Sequence, residues 1–275
     1  LALRFTPSTP LKTAAEVEKL RASARLVSNA LAEVAVHVRP GTTTQALDDV
    51  AAQVLLAAGG RPAFQGYDPG WGGGPFPGVC CISVNDEVVH GIPGGRELVE
   101  GDLVTVDTGV ELDGFFGDSA YTFAVGKVSD EAKRLLRITY EALAKGVEQA
   151  VNGRRVGDIG YAVQQHCEAE GFGVVRQLVG HSIGRTLHEG LSIPNYGRRG
   201  HGAKLKGGMT LCIEPMITAG AYTVDTGDDG WTVVTTDGSP AAHYEHMVAI
   251  RDSGPPDVLT TFEPIERVLG GVPFA

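Results

Sequence analysis

The sequence predicts an α+β fold of two similar halves, with helices packed on a mainly antiparallel sheet. Three observations carry this: helical periodicity that comes in two pairs, alternating apolar stretches after each pair, and a hairpin signal at Asp113-Gly114. The first helix is expected over residues 13–38, where Val17, Leu20, Ala24, Val27, Leu31, Val34 and Val38 recur at steps of three and four. Thr13 and Glu16 have capping-box spacing, and Pro40-Gly41 ends the segment. A second helix carries Leu47, Val50, Val54 and Ala58 on one side and stops at Gly59-Gly60. Residues 129–171 repeat the plan, with Leu135, Ile138, Ala142 and Val147 in one helix, a break at Asn152-Gly153, a helix from Asp158 and a stop at Gly171. Strands are expected at 103–107, 120–125, 211–217 and 244–250. Residues 65–78, rich in Gly and Pro, read as a mobile surface loop; their Gly-Trp-Gly-Gly-Gly run lacks the strand-to-helix context of a dinucleotide fingerprint. No Pro-rich, Ser-rich or charged linker divides the chain. We therefore expect one catalytic domain over 1–275, with halves at about 13–125 and 126–250 and short tails at 1–12 and 251–275.

With 275 residues and 43% hydrophobic content, the chain can bury a substantial core. A formal charge of -10 argues against attraction to a phosphate backbone, so no direct nucleic-acid binding is expected. Cys80, Cys81, Cys167 and Cys212 form no CxxC pair or disulfide framework, which points to a reducing, cytoplasmic setting. Residues 1–10 lack the basic and apolar parts of a signal sequence, and no stretch approaches the roughly 18 apolar residues of a membrane span.

Two motifs compete for the chemistry. Gly180-His181-Ser182-Ile183-Gly184 matches the G-x-S-x-G nucleophile elbow, with residues 174–179 as the strand before it. An elbow must open into a long helix, however, and here His188-Glu189-Gly190 and Pro194 leave little room for one. His188-Glu189 also begins H-E-x-x-H, but Ser192 occupies the second ligand position.

The segment around Asp107 and Asp118 is more informative. If Asp113-Gly114 forms a two-residue turn, Leu112 pairs with Phe115, Gly109 faces Asp118, and Asp107 lies two residues along on the same face. Such diagonal neighbours sit about 7 to 8 Å apart and can converge on metal ions separated by roughly 3.5 to 4 Å. An isolated Asp pair is more often a strand cap and a turn residue. Val104, Val106 and Val110 reverse that judgement, because they make the opposite face apolar and aim both acids into a pocket. His181, Glu214 and Glu245 add polar groups within apolar strands. Two aspartates, two glutamates and one histidine form an oxygen-rich set suited to a pair of divalent ions, and a water shared by two cations is acidified toward neutrality.

Six segments, in order, resemble type I methionine aminopeptidase: Asn85-Asp-Glu-Val-Val-His90-Gly-Ile-Pro93, Val106-Asp107-Thr-Gly, Gly117-Asp118-Ser, Gly180-His181-Ser-Ile-Gly-Arg-Thr-Leu-His188-Glu, Ile213-Glu214-Pro-Met and Tyr244-Glu245-His. The resemblance spans about residues 13–250 and implies the duplicated pita-bread fold with metals between the halves. It implies that Asp107 binds one ion, that His181 and Glu214 bind the other, and that Asp118 and Glu245 bridge both. It further implies catalytic roles for His90, His188 and Glu214, and a methionine pocket made by Cys81, His90 and Trp231 with Tyr67 as a wall. His188 would polarise the carbonyl, Glu214 would shuttle a proton and His90 would contact the scissile amide. The cofactors implied are two ions drawn from Mn, Fe, Co or Zn, and the partner is the N-terminal Met of nascent polypeptides, met by a monomer at the ribosome and away from membranes. Leu187 stands where the family usually has Phe. Competing readings are an X-Pro aminopeptidase or prolidase-like enzyme of the same fold, the serine hydrolase above, and a non-catalytic binding protein on this scaffold; the last is expected to have lost ligands, and none is lost.

Overall fold

The capping box at Thr13 forms as its spacing requires: the Thr13 hydroxyl accepts from Glu16 N, and the Glu16 carboxylate accepts from Thr13 N. Helix α1 accordingly runs Ala14–His37, and Leu20, Ala24, Val27, Leu31 and Val34 of its apolar stripe are buried. The computed structural model describes residues 9–70 and 72–274. Most of the segment read for a signal sequence, residues 1–8, and Trp71 of the glycine-rich loop therefore lie outside the described residues.

Helix α2 (Thr44–Ala57) is capped by Thr43, and Gly59 behind it takes the left-handed conformation, φ 78°, that ends a helix cleanly. Helix α3 (Asp130–Val147) starts at the Ser129 cap. Helix α4 (Val156–Ala169) begins before Asp158, because that side chain accepts from Arg155 N and so occupies the third position of the first turn. Each pair packs together, α1 on α2 and α3 on α4.

All strand pairings are antiparallel. In the first half, Leu103–Leu112 lies between Cys80–Val84 and Phe115–Ala124, with Arg61–Pro62 at its far end, and α1 covers the hairpin. In the second half, Ala241–His243, Met216–Thr218 and Gly173–Val174 form one sheet under α3 and α4. A further sheet runs Asp257–Val258, His246–Ala249, Thr210–Ile213, Gly180–Ser182, Ser192–Ile193, and a third joins Val224–Thr226, Val233–Thr235 and Glu87–Val89. One apolar cluster, with Val27 and Leu31 of α1, Val106 of the hairpin and Leu135 and Leu143 of α3, runs through both halves.

Two expectations change. The stretch 211–217 is broken in two at Glu214-Pro215, the strand expected over 244–250 starts only at His246 because Tyr244-Glu245 separates it from Ala241–His243, and in both places the pieces join different sheets. Residues beyond 250 are more than a tail: Asp257–Val258 pairs with the strand His246–Ala249, and α5 (Glu263–Leu269) packs on α1 with Ile265 buried. Among the described residues no helix is long and apolar enough to cross a membrane.

Candidate metal centre and substrate cavity

Asp113 and Gly114 adopt φ of 52° and 79°, the doubly left-handed turn that suits a two-residue hairpin. The register follows: Leu112 opposes Phe115, Gly109 opposes Asp118, and Asp107 opposes Ala120. Asp107 and Asp118 thus face the same way from adjacent strands. Burial and the Asp118 charge push the Asp107 carboxyl well above its ordinary range, and burial lifts Asp118 to about 8.

The two strand breaks supply the glutamates. Pro215 has no N–H to continue a ladder, so the strand leaves one sheet after Ile213 and enters another at Met216. His246 opposes Ile213 and His243 opposes Met216, which sets Glu214-Pro215 against Tyr244-Glu245 at the same level. Glu245 N donates to Ala120 O at 3.0 Å, and Ser119 Oγ donates to Glu245 O at 2.7 Å. These bonds lock the second half onto the strand that carries Asp118. His181 completes the group from the strand Gly180–Ser182; its Nε2 lies 3.5 Å from Asp118 Oδ2 and 3.7 Å from Glu214 Oε1. Its Nδ1 lies 3.3 Å from the Ser182 carbonyl, an acceptor that fixes the proton there and turns the Nε2 lone pair toward the carboxylates.

All five anticipated ligands therefore converge. Burial, followed by the charges of their neighbours, pushes Glu214 and Glu245 far above the carboxylate range, while burial holds His181 down at about 4 and hence neutral. Asp107 Oδ1, Asp118 Oδ1 and Glu245 Oε1 are buried without a hydrogen-bond partner, and among the described residues no Lys or Arg pairs with any of the four acids. Packed, unneutralised acids beside a neutral imidazole lack one thing, positive charge. Hard or borderline divalent ions fit that donor set.

Beside the acids opens a cavity of about 130 Å³. Its apolar wall is Phe64, Tyr67, Phe76, Cys81, Leu187 and Trp231, and His90 and His188 also line it. The Tyr67 hydroxyl lies 3.0 Å from His188 Nδ1, and the His181 and His188 rings are 4.3 Å apart at their centroids. His90 follows the strand Glu87–Val89 with φ of 60°, a left-handed conformation that costs a branched or bulky residue strain. Gly91 holds it there: Gly91 N donates to Ser83 Oγ at 3.0 Å and Ile82 N donates to Gly91 O at 2.8 Å. Burial keeps His90 and His188 neutral, at about 4 and about 3.

The profile of metallopeptidase family M24 matches residues 18–252. The chain belongs to metallopeptidase family M24. A methionine aminopeptidase of Clostridium perfringens is 48% identical to this M24 chain over 250 residues, covering 91% of it and 98% of the relative. The crystal structure of methionine aminopeptidase from Rickettsia prowazekii superposes with a TM-score of 0.88 at 38% identity, covering 92% of this chain and all of that one. Prolidase from Pyrococcus furiosus superposes with a TM-score of 0.73 at 20% identity over 91% of this chain and 65% of that one, a likeness of fold alone.

Of two further readings of this M24 chain, one holds and one is corrected. The G-x-S-x-G segment is not an elbow, as argued from the sequence: of residues 174–179 only Val174 is strand, Gly180–Ser182 leads to the strand Ser192–Ile193, and buried Ser182 Oγ accepts from Leu191 N. The loop 65–78 is not free on the surface. Gly66 N donates to Phe76 O and Phe76 N to Tyr67 O, each at 2.8 Å, and Trp231 Nε1 donates to Gly74 O at 3.1 Å. The loop is thereby a wall of the cavity. Sequence reading missed Phe64 and Phe76, for which periodicity in a loop offers no signal. It also missed Cys212 and His243; each stands two residues from an anticipated ligand in the same chain segment, a spacing that could have flagged both. His243 Nε2 approaches Glu214 Oε2 to 3.6 Å.

Proposed function

We propose that this M24 chain is a methionine aminopeptidase that removes N-terminal Met from nascent proteins and peptides, working as a single catalytic domain with two divalent ions held by Asp107, Asp118, His181, Glu214 and Glu245. The observation that carries this reading is the set of buried, unneutralised acids opening onto an apolar cavity, in a chain with a relative, 48% identical, that is a methionine aminopeptidase. When bound, the ions supply Lewis acidity and a water acidified toward neutral pH.

The chain's own residues do the rest. The cavity takes the flexible thioether against Phe64, Phe76, Cys81, Tyr67 and Trp231. Tyr67 donates its hydroxyl to His188 Nδ1, which leaves the proton on Nε2 to be donated to the carbonyl oxygen as charge develops there. Glu214, which would be held as the carboxylate by the ions when they are bound, accepts a proton and passes it on to the leaving amine. His90 contacts the scissile amide nitrogen from its strained turn. Mn, Fe, Co and Zn all suit the donors, and the setting is cytoplasmic, with a monomer acting on chains at the ribosome.

The test is to strip metal, assay Met-Ala-Ser against Ala-Pro-containing peptides, and restore ions one at a time. Cleavage of the Met peptide should vanish on chelation and return with metal. Undiminished trimming after exhaustive chelation would overturn the reading, and preference for the Ala-Pro peptide would redirect it to prolidase-like chemistry.

A further inference from the structure

We propose that Cys212 is a latent thiolate donor to this metal centre, so that the site also takes a thiophilic divalent ion such as cadmium or zinc through Asp118, His181, Cys212 and Glu245. The proposal rests on the metallopeptidase reading of the site. Among the described residues, the donor atoms of these four side chains form a group that all lie within 4.8 Å of one another. The backbone explains the grouping. His181 and Cys212 are directly opposed on adjacent strands, and opposed residues share a face. Cys212 lies in the strand Thr210–Ile213, which ends one residue before Glu214.

Ordinary packing accounts for a buried small side chain at this position but not for its polar neighbours. The thiol is fully buried beside the Glu245 carboxylate. Asp118 Oδ1 and Glu245 Oε1, on residues 3% and 2% exposed, have no protein partner. With a hard ion such as manganese, oxygen and imidazole ligands suffice and the thiol keeps its proton. A soft ion prefers sulfur: the S–H bond breaks, a sulfur–metal bond of about 2.3 Å forms in the zinc case, and the proton leaves to solvent. The other three cysteines are also buried and lie outside the group.

The experiment titrates the metal-free full chain with cadmium and follows thiolate-to-metal charge-transfer absorption in the ultraviolet. The unmodified chain and Cys80→Ser, Cys81→Ser and Cys167→Ser should each develop the band, whereas Cys212→Ser should not. Manganese binding, read by equilibrium dialysis, should be alike in Cys212→Ser and the parent, and cadmium should displace manganese roughly tenfold less well from the variant. X-ray absorption at the cadmium edge of the unmodified chain should show one sulfur neighbour, a readout that needs no variant. Cadmium bound without a sulfur neighbour, or a band that survives Cys212→Ser, overturns the proposal while manganese binding upholds the metal site. Failure of both ions to bind overturns the metallopeptidase reading itself.

Discussion

His188 sits between two partners that define its chemistry, with Tyr67 on Nδ1 and the ring of His181 packed against its own. Neither contact is visible in the spacing of the sequence, although His188 was legible through its place in the His181–Glu189 segment. On the proposed mechanism, replacing His188 by Ala removes a donor aimed at developing charge and leaves the five proposed metal ligands in place. Turnover of a Met peptide is expected to fall about a hundredfold or more, with metal content unchanged by elemental analysis. Unaltered kcat in that variant would refute the role. The carboxylates were legible for a different reason. Asp107 and Asp118 are tied by a local turn whose geometry Asp113-Gly114 dictates, so their register follows from a few residues of chain.

At the scale of elements, a buried ion pair joins the start of the chain to the His188 loop. Lys12 Nζ and Glu189 Oε2 are 2.5 Å apart, with side chains 2% and 6% exposed. Glu189 also accepts from Arg185 N, and Lys12 N donates to Gly208 O. Lys12→Met leaves a buried carboxylate unpaired, which costs on the order of 3 kcal/mol; a clear drop in Tm by calorimetry is the expected outcome, and an unchanged Tm would remove the pair from the stability account. The glycine-rich loop makes a second case. A Cβ at Gly73 would fall 2.7 Å from Trp231 Cδ1. Gly73→Val should therefore push the indole into the cavity, at a cost of about 1 kcal/mol or more, and raise KM for Met peptides roughly fivefold while the metal content holds. Equal KM values would mean that the loop does not shape the pocket.

For the whole molecule, the concentration of acid at the junction of the halves makes stability depend on pH and metal together. In the metal-stripped protein Asp118 is held up at about 8, and burial and mutual repulsion raise Asp107, Glu214 and Glu245 well above their ordinary range. Groups raised on folding stabilise the fold while protonated; their contribution is full below about pH 4 and is lost as pH climbs toward 8. The buried histidines act oppositely. His90, His181 and His246 are held at about 4, so their contribution is full above about pH 6.5 and is lost as pH falls. Between about pH 6.5 and 8 the acids alone decide, and Tm of the stripped protein should fall as pH rises, whereas added divalent ion should raise Tm and flatten the slope. A stripped protein with a flat profile over that window would contradict the burial of unneutralised charge.

Local chemistry determined much of this protein in advance: the helix pairs through their apolar period and caps, the hairpin through its turn, and the candidate ligands through polar residues placed in apolar strands. These depend on interactions a few residues apart, which sequence spacing encodes directly. Tertiary structure decided the rest. Whether the strands around Glu214 and Glu245 run on or break and change sheets depends on which neighbours offer hydrogen bonds, and Ala120, distant in the chain, supplies the one that seats Glu245. The cavity wall likewise joins Phe64, Phe76 and Leu187 to Trp231 from separate loops, because burial of apolar surface rewards proximity in space and is indifferent to separation along the chain.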